Sequence, residues 1–521
     1  MRAAHSAAAG ATRNLLTGTA TKYALLTVNI VTGVLLMPFT IEHLGKAQYG
    51  LWMLVASMTY YFQLLDLGYG SGLVRHITEA DARGDEAGVN EVVSTFVVVY
   101  LGIGSAALLG SVLLATLVIP RFPSIDPAQL HIAQVVMLIL GLRVAIGFPM
   151  TVFGAVATSR QAFALNGSIA ITSSLVSALV TYLVLVNGYG LMALVASTTS
   201  VALLTYVAYA ASAKHVFPGL RIRLSRFNRS RVREVTAFSA YVFLIDIAIQ
   251  LGFNLDNVVI GAALGTSAVA VYAVCFRLTD YQRQLCNQLN GLLFPVIVRF
   301  AATDRARLRT TATEATRVAM GLVTGVTACL VGFGSLLVGA WMGPGFEDAV
   351  LPLYVLAAAS VVLVIQQPLG NVLMGGGRHR FVAFVALGEA VANLALSLLL
   401  VRRYGLLGVA IGTAAPVVLA NLAILMPAAC RAMGVPYLRF LGETSRPALV
   451  ALVPTVLTIV LLRAAADDPA FVEVILLGGI AALVYGVAFV GLGLPTAVRG
   501  AYVSHVRGLL RRPAAIPAAN V

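Results

Sequence analysis

The sequence contains few charged residues and almost no lysine. Only 11% of its 521 residues are charged, against about 25% in ordinary soluble domains, and the three lysines are Lys22, Lys46 and Lys214. None of them lies in a GxxxxGK(S/T) loop, the phosphate-binding motif of many ATPases. The longest hydrophilic stretch between apolar segments covers residues 212–236, which is too short for a soluble domain. The sequence therefore excludes an attached ATPase, and transport would draw on a gradient, the membrane potential or the substrate itself.

Patterns for catalysis and metal binding are also missing. The seven histidines lie near the ends of apolar segments, in loops or in the terminal regions, and the four cysteines show no CxxC spacing. No HExxH, EF-hand or serine-elbow motif occurs. The pair Asp467 and Asp468 could suggest a membrane glycosyltransferase, but the short loop around it favours a solvated turn. We therefore predict a protein that is not an enzyme and needs no metal or other cofactor.

Long apolar segments make up most of what is present. Hydrophobic residues account for 59% of the chain, its mean hydropathy is +0.91, and about 20 apolar residues suffice to cross the hydrocarbon of a bilayer. The pattern predicts an all-α membrane protein with fourteen transmembrane helices. Their predicted centres lie near residues 32, 60, 106, 144, 177, 200, 249, 285, 328, 360, 390, 416, 455 and 482.

The positive charges predict the orientation of these spans. The net charge is +14, and most arginines fall in segments on the side of the N-terminus, as the positive-inside rule requires of the cytoplasmic side. Both termini are therefore expected in the cytoplasm. The basic run from Arg221 to Arg233 lacks the series of stacking aromatics typical of a nucleic-acid site, so we assign it to contact with anionic lipid headgroups. No nucleic-acid partner is expected.

Two segments repeat in the second half of the chain. HLGKAQYGLWM at 43–53 is similar to ALGTSAVAVYA at 263–273, and VNGYGLMALVASTTS at 186–200 is similar to VRRYGLLGVAIGTAA at 401–415. Each half holds six predicted spans, so the halves would be parallel repeats with the substrate path between them. The predicted domains are an N-terminal lobe at 1–211, a basic cytoplasmic linker at 212–236, a C-terminal lobe at 237–428, and a helix pair with a cytoplasmic tail at 429–521.

Charged residues occur inside the predicted seventh and eighth spans. They are Asp246, Asp256, Arg277, Asp280 and Arg283. A charge at the centre of a membrane helix costs roughly 2.5–3.5 kcal/mol on insertion scales, so such a residue normally faces a partner or a water-filled cavity. Helical spacing places Asp280, Gln284 and Gln288 on one polar face with Arg277, and Arg283 on a neighbouring face. We interpret these residues as the lining of a polar, partly cationic chamber.

Local ion pairs are the alternative explanation for several of these charges. Arg277 and Asp280 are three residues apart and can form an intrahelical pair. Arg143 has no acid at that spacing on its own helix, although Asp66 could pair with it from the second span, and Glu389 adds another acid at membrane depth. Arg143 and Arg283 are the better candidates for holding an anion, because the planar guanidinium donates two parallel hydrogen bonds to phosphate.

Several of these segments resemble a known family. DLGYGSGLVRHI at 66–77, NLDNVVIGAALGTSAVAVYAVCFRL at 254–278 and the two YGL motifs are similar to the polysaccharide transporter family, the lipid-linked oligosaccharide flippases of the MOP exporter superfamily. The resemblance covers most of residues 15–495. Its motifs are diffuse, so its specificity rests on the order of the spans and on the repeat.

The resemblance implies a MATE-like fold of two six-helix lobes that form a V around a cationic chamber, with an added C-terminal helix pair. Family members move undecaprenyl-pyrophosphate-linked sugar units across the bacterial cytoplasmic membrane by alternating access. By position, Arg143, Asp256, Arg277 and Arg283 match cavity-lining charges of the family. The helix pair would resemble the lipid-tail groove of lipid II flippases.

The predicted function is therefore the export of lipid-linked oligosaccharide for surface polysaccharide. The predicted substrate-binding residues are Arg143, Arg277, Arg283, Gln284 and Gln288. The residues predicted to couple an ion or pair charges are Asp66, Asp246, Asp256, Asp280 and Glu389. Expected partners are the lipid-linked substrate, the bilayer, and a polysaccharide polymerase with glycosyltransferases, and the chain is expected to be a monomer.

Other functions stay open at this point. A lipid II flippase of the same superfamily would carry arginines in the first span, and residues 23–45 contain none. A multidrug or cation antiporter of the MATE type often carries an acid there, and none occurs before Glu42. A membrane-bound transferase would need an acidic or histidine site that is not found, and a purely structural membrane protein would not need so many charges at membrane depth.

Overall fold

The computed structural model describes residues 2–494 and 499–500. Side chains are described for residues 20–70, 72–236, 255–287, 293, 296–301, 303–494 and 499–500. Within these residues the chain is helical and contains no strand, which confirms the predicted all-α class. The α-helices are α1 (Arg2–Tyr60), α2 (Tyr69–Ala82), α3 (Glu86–Leu113), α4 (Leu130–Ser159), α5 (Phe163–Val186), α6 (Leu191–Val216), α7 (Arg229–Leu264), α8 (Thr266–Thr303), α9 (Arg305–Met342), α10 (Val350–Gly375), α11 (His379–Ala420), α12 (Met426–Met433), α13 (Tyr437–Ala464) and α14 (Phe471–Ala488).

Ten helical ranges among the described residues are long and apolar enough to cross a membrane. Two of them, Ala20–Asp66 and His379–Met433, contain 47 and 55 residues. At 1.5 Å per residue each is more than twice as long as the hydrocarbon is thick. Each also contains a glycine with non-helical backbone, Gly45 in α1 and Gly405 in α11. The chain is a multi-pass membrane protein, and the count of fourteen spans stays a prediction.

The first sequence repeat has a structural counterpart at two helix boundaries. Gly45 has φ 77° and ψ 158°, and its match Gly265, between α7 and α8, has φ 98° and ψ 168°. A side chain is rarely tolerated at such positive φ angles, which explains why glycine stands at both positions. The two copies of this segment, 43–53 and 263–273, also pack closely on each other. A Cβ on Gly50 would lie 1.7 Å from the carbonyl oxygen of Thr266, so only glycine allows this approach of α1 to α8.

The chain packs as two compact units. One comprises residues 1–274 and 383–416, and the other comprises residues 275–382 and 417–521. The first unit holds two hydrophobic clusters, one centred on α3 with Phe96 and Tyr100, the other joining α1, α4 and α6. The second unit is built on α9, α10, α13 and α14, where Phe333 and Ile459 are buried together. The predicted lobe boundaries at 211 and 237 stay a prediction.

A left-handed turn separates α1 and its 3-10 extension from α2. Leu67 and Gly68 have φ angles of 52° and 74°, and Asp66 directly precedes them. α2 then packs Leu73 and Ile77 into the core of the first unit while Arg75 stays exposed. This turn holds the Asp66 carboxylate beside the start of α2.

The predicted basic linker is fastened to α3. Backbone N–H groups of Arg221, Arg223 and Asn228 donate hydrogen bonds to the side chains of Asn90, Ser94 and Thr95 in α3, at 2.6, 3.1 and 3.1 Å. The Asn228 side chain then caps α7 by accepting a hydrogen bond from the N–H of Ser230. The linker is thus an ordered part of the first unit, and the arginines at 221, 223 and 229 remain exposed.

Candidate functional site

The first unit contains a cavity of about 690 Å³. It lies between the 3-10 turn at Tyr61–Asp66, α4 and α6, and all of its lining residues belong to that unit. The lining residues are Gln63, Leu64, Asp66, Val144, Gly147, Phe148, Met150, Thr151, Gly154, Tyr206 and Tyr209. Helical spacing explains the contribution of α4, since residues 144, 147, 148, 151 and 154 share one face of a helix.

Asp66 is the charged member of this lining. Its Oδ1 accepts a hydrogen bond of 2.7 Å from the hydroxyl of Tyr100, and its Oδ2 accepts one of 3.2 Å from the backbone N–H of Gly70. Tyr100 is completely buried, so its hydrogen bond fixes the orientation of the Asp66 carboxylate from the core side. Asp66 forms no ion pair with Arg143 or with another described residue, and the alternative of an Asp66–Arg143 pair is therefore wrong.

Arg143 is exposed and has no acidic partner among the residues that the structure describes. It belongs to α4, and Gly147, Met150 and Gly154 follow it at spacings of four, seven and eleven residues. These spacings place Arg143 on the cavity-lining side of α4, about one turn before Gly147. Arg143 is not among the described lining residues, of which Asp66 carries the charge. The predicted cationic chamber between the two halves stays a prediction.

The polar face of α8 is organised around Asp280. Its Oδ1 accepts a hydrogen bond from Arg283 at 2.8 Å, and its Oδ2 accepts one from the side-chain amide of Gln284 at 2.7 Å. The ion pair of Asp280 is thus made with Arg283 and not with Arg277, so the alternative of an Arg277–Asp280 pair is wrong. Both arginines lie three residues from Asp280, so spacing alone does not separate them; Arg283 lies over the Phe276 ring, 5.7 Å from its centre, whereas Arg277 lies over a different ring, that of Tyr281.

Arg277 lies half-buried on the same helix and forms no ion pair with a described residue. Its guanidinium lies 5.9 Å from the centre of the Tyr281 ring, a distance at which a cation–π attraction operates. The structure therefore brings four predicted residues together, Arg277, Asp280, Arg283 and Gln284. All four belong to the second unit.

Asp256 is buried in the first unit, with 3% of its surface exposed. Its Oδ2 accepts hydrogen bonds from the hydroxyls of Tyr272 at 2.7 Å and Thr413 at 2.9 Å. The Thr413 hydroxyl also lies 3.3 Å from the side-chain oxygen of Asn393. These partners are uncharged, and within the described side chains no cation neutralises the carboxylate. The prediction that Asp256 faces a cavity stays untested.

Three further predicted residues complete the set. Glu389 is half-buried in α11 and belongs to the first unit. The side chains of Asp246 and Gln288 lie outside the described residues, so their predicted roles stay predictions.

Sequence reasoning missed three residues that line the cavity, Thr151, Tyr206 and Tyr209. The available signals were two tyrosines three residues apart on the apolar helix α6, and two glycines, Gly147 and Gly154, seven residues apart on α4.

Comparison with known proteins identifies the family. Residues 21–301 match the family described as polysaccharide biosynthesis protein, which is more than half of the chain. The chain belongs to this family of membrane transporters. The membership confirms the predicted recognition and places this protein among the transporters of polysaccharide biosynthesis.

Two curated relatives are similar to this family member. The uncharacterized membrane protein EpsK of Bacillus subtilis (strain 168) is 23% identical over 409 residues, which cover 76% of this chain and 79% of the relative. The probable low-salt glycan biosynthesis flippase Agl15 of Haloferax volcanii is 22% identical over 199 residues, which cover 38% of this chain and 40% of the relative. The resemblance thus extends to a protein named as a flippase.

Solved structures show the fold. The lipid II flippase MurJ in an inward closed conformation has a TM-score of 0.70 at 12% identity, with 91% of this chain and 98% of that chain covered. An inward-facing multidrug resistance MATE transporter of the MOP superfamily has a TM-score of 0.64 at 14% identity, with 79% and 95% covered. At these identities the likeness concerns architecture, and it confirms the predicted MATE-like fold.

Proposed function

We propose that this protein is a flippase for undecaprenyl-pyrophosphate-linked oligosaccharides. It would move the repeat units of a surface polysaccharide across the bacterial cytoplasmic membrane by alternating access, with both of its termini in the cytoplasm. The family match, the flippase name of the Haloferax relative and the MurJ-like fold support this proposal. Its partners would be the glycosyltransferases that build the repeat unit and the polymerase that consumes it.

The exposed guanidinium of Arg143 carries the proposal. A membrane helix that bears an arginine without an acidic neighbour needs an anion or water at that position, since an unpaired charge in hydrocarbon costs several kcal/mol. In the described part of the chain no acid meets this arginine. A pyrophosphate group is a suitable anion, because its oxygens match the fork of the guanidinium.

Arg277 and Arg283 are proposed as further anion contacts on α8. Arg277 forms no ion pair with a described acid, so it can accept a new anionic partner without breaking an existing bond. Arg283 differs, because Asp280 already neutralises it at 2.8 Å. Gln284, which donates to the same carboxylate, would release an amide donor to the substrate if that contact opened. Gln288 is proposed to extend this polar face by one turn.

Asp256 is proposed as the residue that couples transport to an ion. Its carboxylate is buried and its two oxygens accept hydrogen bonds from neutral hydroxyls, so a bound monovalent cation or proton would remove an uncompensated charge. The oxygens of Thr413 and Asn393 are close enough to serve the same ion. Asp66, Asp246, Asp280 and Glu389 are proposed to pair charges or to assist this coupling.

Surface polysaccharide tests the anion contacts. Cells that carry Arg143→Ala or Arg283→Ala in place of the native gene should lose surface polymer while the protein level stays unchanged, because each change removes a phosphate donor. Arg402→Ala serves as the matched control, since Arg402 is exposed near the bend of α11 and belongs to no proposed contact. Surface polymer that is normal in the Arg143→Ala and Arg283→Ala cells would contradict the assignment.

A cation or multidrug antiporter is the second function to test, because the described lining of the cavity presents an acid and includes no basic side chain. The MATE-like architecture is compatible with it. Deletion of the gene distinguishes the two functions directly. A flippase defect removes surface polymer and leaves drug tolerance unchanged, whereas loss of an antiporter lowers drug tolerance and leaves the polymer in place.

A further inference from the structure

The cavity beside Asp66 presents a negative charge, whereas the arginines proposed for the pyrophosphate are positively charged. Of the lining side chains that the structure describes, Asp66 is charged and the others are neutral. We propose that this cavity binds the sugar end of the lipid-linked substrate through hydrogen bonds to its hydroxyl groups. This inference rests on the proposed flippase function and adds to it the place where the glycan is recognised.

A phosphate group does not fit this cavity. A carboxylate only accepts hydrogen bonds, so it offers no donor to a phosphate that must also accept them, and two like charges side by side repel each other. The described lining residues include no lysine or arginine to compensate. The pyrophosphate must therefore be held elsewhere, and what enters the cavity has to bring hydrogen-bond donors.

The lining suits a carbohydrate. Sugar hydroxyls donate and accept, and the cavity is lined by the Asp66 carboxylate, the Gln63 amide and three hydroxyls. The hydroxyls of Thr151 and Tyr209 donate to the backbone carbonyls of Phe148 and Asn166, so they face a ligand as acceptors. The hydroxyl of Tyr206 has no hydrogen-bond partner among the described residues. Phe148 and the apolar parts of α4 provide the surface against which the C–H face of a sugar ring packs. The volume of about 690 Å³ falls within the range of roughly 300–1,000 Å³ typical of small-molecule sites.

The acceptor at Asp66 is held in place before any ligand arrives. Tyr100 donates to it from the buried core, the N–H of Gly70 donates to its other oxygen, and each oxygen keeps a lone pair for a ligand. A fixed acceptor loses little conformational entropy on binding, which favours recognition of one hydroxyl arrangement over another. Asp66 and its neighbours would therefore help to determine which glycan is accepted.

A glycine provides a steric test of this site. Gly154 lines the cavity, and a Cβ built on it meets no atom within 4 Å, so Gly154→Leu fills the cavity without a clash at its Cβ. Gly102→Leu is the matched control, because Gly102 is exposed on α3, has the same open surroundings and lies outside the cavity. Asp66→Asn and Tyr206→Phe change single polar groups and leave the shape nearly the same.

Two lipid probes separate the sugar from the pyrophosphate. The first is the lipid-linked oligosaccharide fraction extracted from cells that lack this gene, and the second is undecaprenyl pyrophosphate without sugar. Affinities are measured with the full-length protein in nanodiscs. We expect Gly154→Leu to weaken binding of the first probe by roughly tenfold or more and Asp66→Asn by roughly tenfold. Neither variant should change binding of the second probe, and Gly102→Leu should change neither.

Each other outcome has a definite meaning. If Gly154→Leu and Asp66→Asn leave both affinities unchanged or lower both equally, or if wild type binds the two probes with equal affinity, the sugar site is wrong and the flippase function stands. If wild type binds neither lipid, the flippase function is wrong. If wild type binds the cation tetraphenylphosphonium and Asp66→Asn loses that binding alone, the cavity is a cation site and the sugar assignment is overturned.

Discussion

The ion pair between Arg283 and Asp280 gives the sharpest prediction about the second unit. Asp280→Asn keeps the size of the side chain and removes its charge, which takes from Arg283 its ion pair with this carboxylate. The two side chains are 16% and 22% exposed, with 2.8 Å between nitrogen and oxygen. An effective dielectric constant of about 20 gives an attraction of about 6 kcal/mol at that distance, part of which desolvation of the two groups offsets.

Removing one partner of a buried ion pair costs about 3–5 kcal/mol. Because both side chains keep some exposure, we expect Asp280→Asn to lower the free energy of unfolding by about 3 kcal/mol, at the lower end of that range. The double variant Asp280→Asn with Arg283→Gln should recover most of the loss, since both charges of the pair are then removed. Unfolding of the purified protein in mixed detergent micelles measures these differences.

An exposed pair in the same unit serves as the control. Arg439 and Glu443 form an ion pair with side chains 70% and 44% exposed, so Glu443→Gln should cost less than about 0.5 kcal/mol. Undecaprenyl pyrophosphate should stabilise Asp280→Asn more than it stabilises wild type, because it supplies the missing anion. A variant that is as stable as wild type, and is stabilised by the lipid no more than wild type is, would refute the view that Asp280 competes with the substrate for Arg283.

Two further predictions concern the first unit. Gly50→Ala should destabilise the protein by about 2 kcal/mol or more, because its Cβ would meet the backbone oxygen of Thr266 at 1.7 Å; Gly102→Ala, in open space, should be neutral or slightly stabilising, and equal unfolding energies would contradict the close approach of the two helices. Asp256→Asn should leave the protein folded and abolish the acceleration of lipid flipping by an imposed cation gradient in proteoliposomes. The exposed control Asp467→Asn should keep that acceleration, and a gradient response retained by Asp256→Asn would exclude Asp256 from the coupling.

Sequence reasoning succeeded where the physics is local. Helical spacing placed Asp280 and Gln284 on one face of α8, and the repeat aligned Gly45 with Gly265, which the structure then shows at two helix boundaries. The sequence could not show which arginine pairs with Asp280, because both are three residues away. The contact of Arg283 with the Phe276 ring is visible only in the structure.

Contacts between distant segments were out of reach of the sequence alone. Tyr100 lies 34 residues beyond Asp66, and no local pattern links the two. The two tyrosines of the cavity come from α6, whose position beside α4 is set by packing of the whole first unit. The cavity therefore emerges only from the tertiary structure, although each of its side chains could be read in the sequence.

A transporter must release its substrate as well as bind it, and we expect Asp280 to assist this release. A pyrophosphate held at about 4 Å by an unpaired arginine gains about 4 kcal/mol of attraction per charge pair at an effective dielectric constant of 20. Several such contacts would bind the lipid too tightly to leave, which is the constraint that also limits ion binding in channels. By competing for Arg283, Asp280 lowers the net attraction and supplies a partner when the lipid departs. We therefore expect Asp280→Asn to bind undecaprenyl pyrophosphate more tightly than wild type and yet to export less polysaccharide, whereas a variant that only lost a structural bond would show weaker binding and weaker export together.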